Sequence, residues 1–134
     1  MKKKNDSIKL IIAGSRYYND LKDFEELTNR KVVDLLIKGK DKNLEIISGG
    51  ARGVDSMARI FANLYKFKFT EFPADWELYG RNAGVIRNIQ MANYGTHLLA
   101  FWDGKSKGTG HMIRTAERLD LEVDIIYINE INTN

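Results

Sequence analysis

The sequence predicts an α/β fold, a single domain built on a mostly parallel five-stranded sheet with helices on both faces. Short apolar runs alternate with segments of helical periodicity along nearly the whole chain. The first run, with Leu10, Ile11 and Ile12 in succession, leaves no polar side, as a strand covered on both faces requires. Connections are short, and a glycine-bearing turn follows three of the runs. A Rossmann-like strand order, 3-2-1-4-5, would set strands one and four side by side. Ligands of such sheets bind outside the strands' carboxyl ends, where the order reverses.

Ile8 to Ala13 reads as the first strand. Leu21 to Ile37 follows as a helix: Leu21, Phe24, Leu27, Val32, Leu35 and Leu36 recur at helical spacing, with Asn19 or Asp20 as cap. Leu44 to Ser48 is a second strand, and Val54 to Tyr65 a helix with Val54, Met57, Ala58, Phe61, Leu64 and Tyr65 on one face. Lys68 to Phe72 is a third strand, stopped by Pro73, the single proline. Ala74 to Gly80 reads as a loop, and Arg81 to Asn93 as a helix with an apolar stripe of Val85, Ile86, Ile89 and Ala92. Thr96 to Trp102 is strand four, Gly108 to Leu119 a helix carrying Met112, Ile113, Ala116 and Leu119, and Val123 to Ile128 strand five. Residues 1–6 read as a disordered basic tail, 7–129 as the domain and 130–134 as a frayed C-terminus.

At 134 residues the chain suffices for one good core, and 43% hydrophobic with 29% charged residues is ordinary globular composition. No apolar run nears the roughly 20 residues that span a bilayer, and no signal-peptide cleavage pattern follows the lysines at the start. Without cysteine there is neither a disulfide framework nor a thiolate metal site, so cytoplasm is the expected location. The net charge of +3 is mild, and basic residues interleave with acidic ones, especially from Lys22 to Lys42. That pattern reads as solvated surface rather than a nucleic-acid stripe, and it suits a small anionic ligand equally. No metal-spaced His/Asp/Glu group, nucleophile elbow or cofactor motif occurs.

Candidate chemistry gathers in the glycine turns. Ser48-Gly49-Gly50-Ala51-Arg52-Gly53-Val54-Asp55 ends a buried strand and starts a helix, where unpaired amides and the helix dipole favour an anion. Arg52 can pair with such an anion, and Asp55 falls in the first helical turn, where a carboxylate also stabilises the dipole. Gly14-Ser15-Arg16 ends the first strand without the dinucleotide or Walker A fingerprint; Ser15 and Arg16 can hold a phosphate or ribose. Arg81, Gly84, Asn88 and Met91 form a second stripe on their helix, with Arg87 beside Asn88. Gly104 to Gly110 places Lys105, Ser106, Lys107, Gly108, Thr109 and Gly110 in an anion-nest pattern at a helix start. Trp76, Tyr79 and Trp102 bracket these loops as candidates for stacking on a base. His97 reads as structural, and His111, in a first helical turn, as able to face a ligand.

In combination, Ala13 to Arg16, Ser48 to Asp55, Phe72 to Trp76, Gly80 to Met91, and Ala100 to Trp102 with Gly108, Thr109 and Ala116 resemble the SLOG superfamily. That group of nucleotide-binding Rossmann-like domains includes the DNA-processing protein DprA and the LOG-type phosphoribohydrolases. The nearest likeness is to its YspA-like branch, and it covers nearly the whole chain. The resemblance implies a nucleotide or nucleotide-derived ligand, such as an ADP-ribose species, with phosphate on the Gly49–Gly53 and Gly108–Gly110 turns. Gly14 to Arg16, Arg81, Arg87 and Asn88 would complete the pocket. The phosphoribohydrolases carry a Pro-Gly-Gly-x-Gly-Thr-x-x-Glu pattern with a catalytic Glu; counted from Gly108-Thr109, that position is Met112 here. The leading expectation is therefore a sensor or sequestering protein that binds without turnover. An N-glycosidase or nucleotide hydrolase using Asp55 or Glu77 as acid is the alternative, and single-stranded nucleic-acid binding, with DprA, the third. A homodimer is also expected from the resemblance.

Overall fold

Leu10, Ile11 and Ile12 are wholly buried, and the strand that carries them, β1 (Ile8–Gly14), lies at the centre of the sheet. The computed structural model describes residues 7–39 and 43–129; the expected basic tail and C-terminal fray lie outside the described residues. β1 pairs in parallel with β2 (Leu44–Ser48), Leu10 opposite Ile46, and with β4 (His97–Trp102), Ile12 opposite Leu99. β3 (Lys68–Glu71) adds outside β2 and β5 (Glu122–Tyr127) outside β4, giving the order β3-β2-β1-β4-β5 with every pairing parallel. The expected 3-2-1-4-5 order is the one found.

Parallel pairing needs crossovers, and these are helical. α1 (Leu21–Lys38) starts at Asp20, whose carboxylate accepts the Asp23 N–H. With α2 (Val54–Leu64) it covers the face built from Leu10, Ile12, Ile46, Leu99 and Phe101. There the Phe24 ring lies 5.0 Å from that of Phe101 and meets Phe61 edge-on at 6.5 Å. α4 (Ala83–Tyr94) and α5 (Lys107–Arg118) cover Ile11, Ile47, Leu98 and Ala100 on the other face, through Met91, Ala92, Met112, Ile113 and Ala116.

Several expectations change. The stretch 74–80 is not all loop. The Asp75 carboxylate caps a single turn, α3 (Trp76–Tyr79), by accepting the Leu78 N–H, and a 3-10 turn at Gly80–Asn82 follows. α4 therefore begins two residues later than its periodicity suggested. Its buried positions are Ala83, Asn88, Met91 and Ala92, while Val85 and Ile89 are exposed. Asn88 can take a buried place because it finds hydrogen-bond partners there. Likewise Leu64 and Tyr65, expected on the inward face of α2, are exposed as the helix ends.

The first two crossovers nearly touch. Val54 N–H donates to the Ser15 carbonyl at 3.1 Å. A Cβ on Gly53 would lie 2.4 Å from that carbonyl oxygen, and one on Gly14 2.5 Å from the Phe101 carbonyl. Around Gly108, within α5, nothing lies within 4 Å of an added Cβ. Gly14→Ala should therefore cost about 1–3 kcal/mol through overpacking. Gly108→Ala should be neutral or stabilising by up to about 1 kcal/mol. Urea midpoints measure both, and equal shifts would contradict the close-approach account.

Candidate functional site

Outside the carboxyl end of β1, the turns after β1, β2 and β4 enclose a cleft of about 820 Å³. Each wall is held by its own local bonds. In the first, Ser15 is buried and its Oγ accepts the Tyr17 N–H at 3.0 Å, which turns the chain so that Arg16 and Tyr17 stand exposed at the mouth. In the second, Ser48 Oγ accepts the Gly50 N–H and donates to the Asp55 carbonyl, both at 3.3 Å. Asp55 Oδ2 accepts the Ala51 N–H at 3.0 Å, so this carboxylate closes the turn at the start of α2. In the third, Asp103 Oδ1 accepts from the Lys105 and Ser106 amides and the Ser106 hydroxyl. Those bonds, with the Ser106 amide leading, hold the Asp103 carboxyl below its ordinary range.

α4 joins the second and third walls. Arg87 Nη1 donates to the Gly49 carbonyl at 2.6 Å and its Nε to Asn88 Oδ1 at 3.2 Å. Asn88 Nδ2 donates to the Gly108 carbonyl at 3.3 Å. Because a carbonyl only accepts, the amide's orientation is settled. His111 Nδ1, 3.1 Å from the same Nδ2, is then the bare nitrogen of a neutral ring. The ring's Nε2–H faces Thr115 Oγ1 at 3.4 Å. Burial, then Arg114 and Arg118, hold the His111 imidazole below its usual pKa.

Of the residues expected to bind, Gly14, Ser15, Arg16, Ala51, Arg52, Asp55, Arg81, Arg87, Asn88, Gly108 and Thr109 line this one cleft, and Trp76 lines it too. Others stand behind the lining. Gly49 offers its carbonyl to Arg87; Gly50 packs on Glu71, Gly53 on Ser15 and Arg16, and Gly110 on the Trp102 ring. Trp102 is turned away: it lies against Tyr127 and donates its indole N–H to the Ser106 carbonyl. Tyr79 borders a separate small hollow with Pro73 and Gln90. Glu77, the other expected acid, lies outside the cleft lining, and Met112, at the phosphoribohydrolase Glu position, is buried in the cleft floor. Ser106 of the expected anion nest lines the cleft as well, and Tyr17 lines it without having been singled out. Tyr17 directly follows the Gly-Ser-Arg turn, which was signal enough to include it. Among the described residues no group of three or more His, Cys, Asp or Glu could hold a metal. No described helix is long and apolar enough to cross a membrane.

Asp55 is 8% exposed, and burial pushes its carboxyl up to about 6, against the opposing pull of the Ala51 amide and Arg87; Glu71 pushes the same way as burial. The unfolded chain's aspartate titrates near 3.8. Between those values the folded state holds the extra proton, so Asp55 makes stability fall as pH rises from about 4 to about 6. Asp55→Asn removes that loss. Relative to the wild type, its unfolding free energy should gain up to about 3 kcal/mol between pH 4 and pH 7. Parallel pH profiles in chemical denaturation would refute the assignment.

A relative of this chain is the Gene 61 protein of Mycobacterium phage D29, 35% identical over 124 residues, which span 86% of this chain and 93% of that protein. Among solved structures the chain is similar to DNA processing protein A from Helicobacter pylori, described for its single-stranded DNA binding mode. The TM-score is 0.65 at 18% identity, over 92% of this chain but only 66% of that one, a likeness of fold alone. No family model matches the chain.

Proposed function

The chain belongs to the family of the phage D29 Gene 61 protein, and for this member we propose that the cleft binds a nucleotide or nucleotide-derived signalling molecule, as a sensor or sequestering protein. One observation carries this reading: turns from three crossovers converge on a single cleft whose charged lining is Arg16, Arg52, Arg81, Arg87 and Lys107 against one carboxylate, Asp55. α2 and α5 both begin at its wall, and helix starts favour anions. The volume of about 820 Å³ suits a ligand of nucleotide size or larger. Trp76, 61% exposed beside Gly84 at the rim, offers a face for a base. Binding without cleavage is favoured because Met112 stands in the position of the phosphoribohydrolase carboxylate.

Calorimetry with AMP, ADP and ADP-ribose tests the proposal. Arg52 is exposed in the cleft wall, so Arg52→Ala should leave the melting temperature of the free protein unchanged. It should weaken binding about ten- to a hundredfold, as loss of a charge-assisted hydrogen bond does. No binding by any of the three, at millimolar ligand, would refute the reading.

A second reading is a strand of single-stranded DNA laid across the same mouth. It is favoured by the fold likeness to the Helicobacter pylori protein and by Tyr17 and Trp76, two exposed aromatics among the cleft's arginines. Fluorescence anisotropy of a labelled oligothymidylate should then show affinity falling steeply with salt. Flat anisotropy would remove this reading and leave the first intact.

A further inference from the structure

A carboxylate is an unexpected wall for a cleft that otherwise presents five cations. Asp55 lies at the start of α2 with its Oδ2 on the Ala51 N–H. Arg87 reaches towards it from α4 and favours its ionised form, while Glu71 on the β3 edge opposes it. Across the cleft, from α5, the bare Nδ1 of His111 faces the Asn88 amide, with Arg114 and Arg118 on its own helix. Arg16, Arg52, Arg81 and Lys107 are the remaining charges of the lining. Both titratable groups thus border the space an anion would fill. The anion acts on both with one sign: it repels an ionised Asp55 and attracts a protonated His111, and so raises the proton affinity of each. Whatever raises a group's proton affinity on binding is itself bound with proton uptake, and more tightly at lower pH.

We propose that the cleft is a proton-coupled anion site, in which a phosphate-bearing ligand enters together with a proton taken from solvent by the Asp55 carboxyl, His111 being the weaker second acceptor. The proposal rests on reading the cleft as a phosphate site. Protonation converts one Asp55 oxygen from an acceptor into an O–H donor for a phosphate oxygen, while the other keeps the Ala51 amide. His111 comes second for a geometric reason: once protonated at Nδ1 it would point a donor at the Asn88 NH2, which is also a donor, and that contact would be lost. Burial already brings Asp55 to about 6 in the free protein, so near neutral pH an arriving anion has only a short shift to supply.

The test is calorimetry of the unmodified protein near pH 7 in buffers of different ionisation enthalpy, followed by affinities from about pH 5.5 to about pH 8. The probes are ADP-ribose and an oligothymidylate without a terminal phosphate, whose phosphodiester and pyrophosphate groups keep constant charge over that range, whereas a phosphomonoester itself titrates near pH 6. The expected result is uptake of about one proton per bound ligand and a Kd that rises about tenfold per pH unit above pH 6. Asp55→Asn should abolish most of the uptake and bind about a hundredfold more tightly than wild type at pH 8; His111→Gln should remove a smaller part. Binding heats independent of buffer overturn the coupling while leaving the phosphate reading standing. So does an Asp55→Asn protein that stays folded and keeps the wild-type proton count. If neither probe binds at any pH, the phosphate reading and the coupling fall together.

Discussion

The approach of the first two crossovers is the constraint on which the cleft depends. Val54 N–H reaches the Ser15 carbonyl only because Gly53, at φ 72°, has no Cβ to meet the Ser15–Arg16 backbone. Gly14 meets the same demand from the other side, against Phe101 and Val54. This contact sets the start of α2 against the turn after β1. Amides from α2 and the Arg16 side chain then face one space instead of two. A parallel sheet alone would bring the strand ends to a common edge; the glycines turn that edge into a shared wall.

A second brace closes the other side. Arg87 binds the Gly49 carbonyl, Asn88 the Gly108 carbonyl, and the two side chains bind each other. Asn88 thereby uses its oxygen and both amide protons on Arg87, Gly108 and His111. A buried polar network stabilises only when its members are satisfied, and this amide is. Asn88 lines the cleft, yet its hydrogen-bonding capacity is committed to holding the β2 and β4 turns in register. The arginine is divided differently: one nitrogen of its fork is fixed on Gly49, which aims the guanidinium and limits its freedom before any ligand arrives.

Strand order and helix placement were legible because short, mostly apolar runs alternate with helical segments, and the run of Leu10, Ile11 and Ile12 in β1 leaves no polar side, as a strand covered on both faces requires. The gathering of the glycine turns followed from that topology. What periodicity misjudged was α4. Its exposed Val85 and Ile89 and its buried Asn88 invert the apolar pattern, because partners supplied by distant turns make a polar residue acceptable inside. Hydrogen bonds between Asn88 and Gly108, twenty residues apart, have no local signature. The same holds for Trp102: its composition suggested a base platform, but Tyr127 and the Ser106 carbonyl, brought near by β5 and the turn after β4, turn it outward. The short α3 helix escaped for the opposite reason, since its cap at Asp75 is entirely local but only a single turn long.

Bulk charge concealed the site as well. The whole chain carries a net charge of only +3, while the cleft gathers five cations and a single carboxylate. The rest of the protein is therefore slightly acidic. An interleaved surface of that kind has little to offer the long phosphate array of a duplex. It does, however, concentrate positive potential in one concavity with low-dielectric walls, where field lines focus and a small anion is drawn in. Within that field Asp55 is the exception that needs a cause. Its bond to the Ala51 amide supplies one, since the turn would otherwise lose the acceptor that closes it. The carboxylate that shapes the wall is thus the same group whose charge would oppose the proposed anion, and a proton is the simplest means of reconciling the two roles.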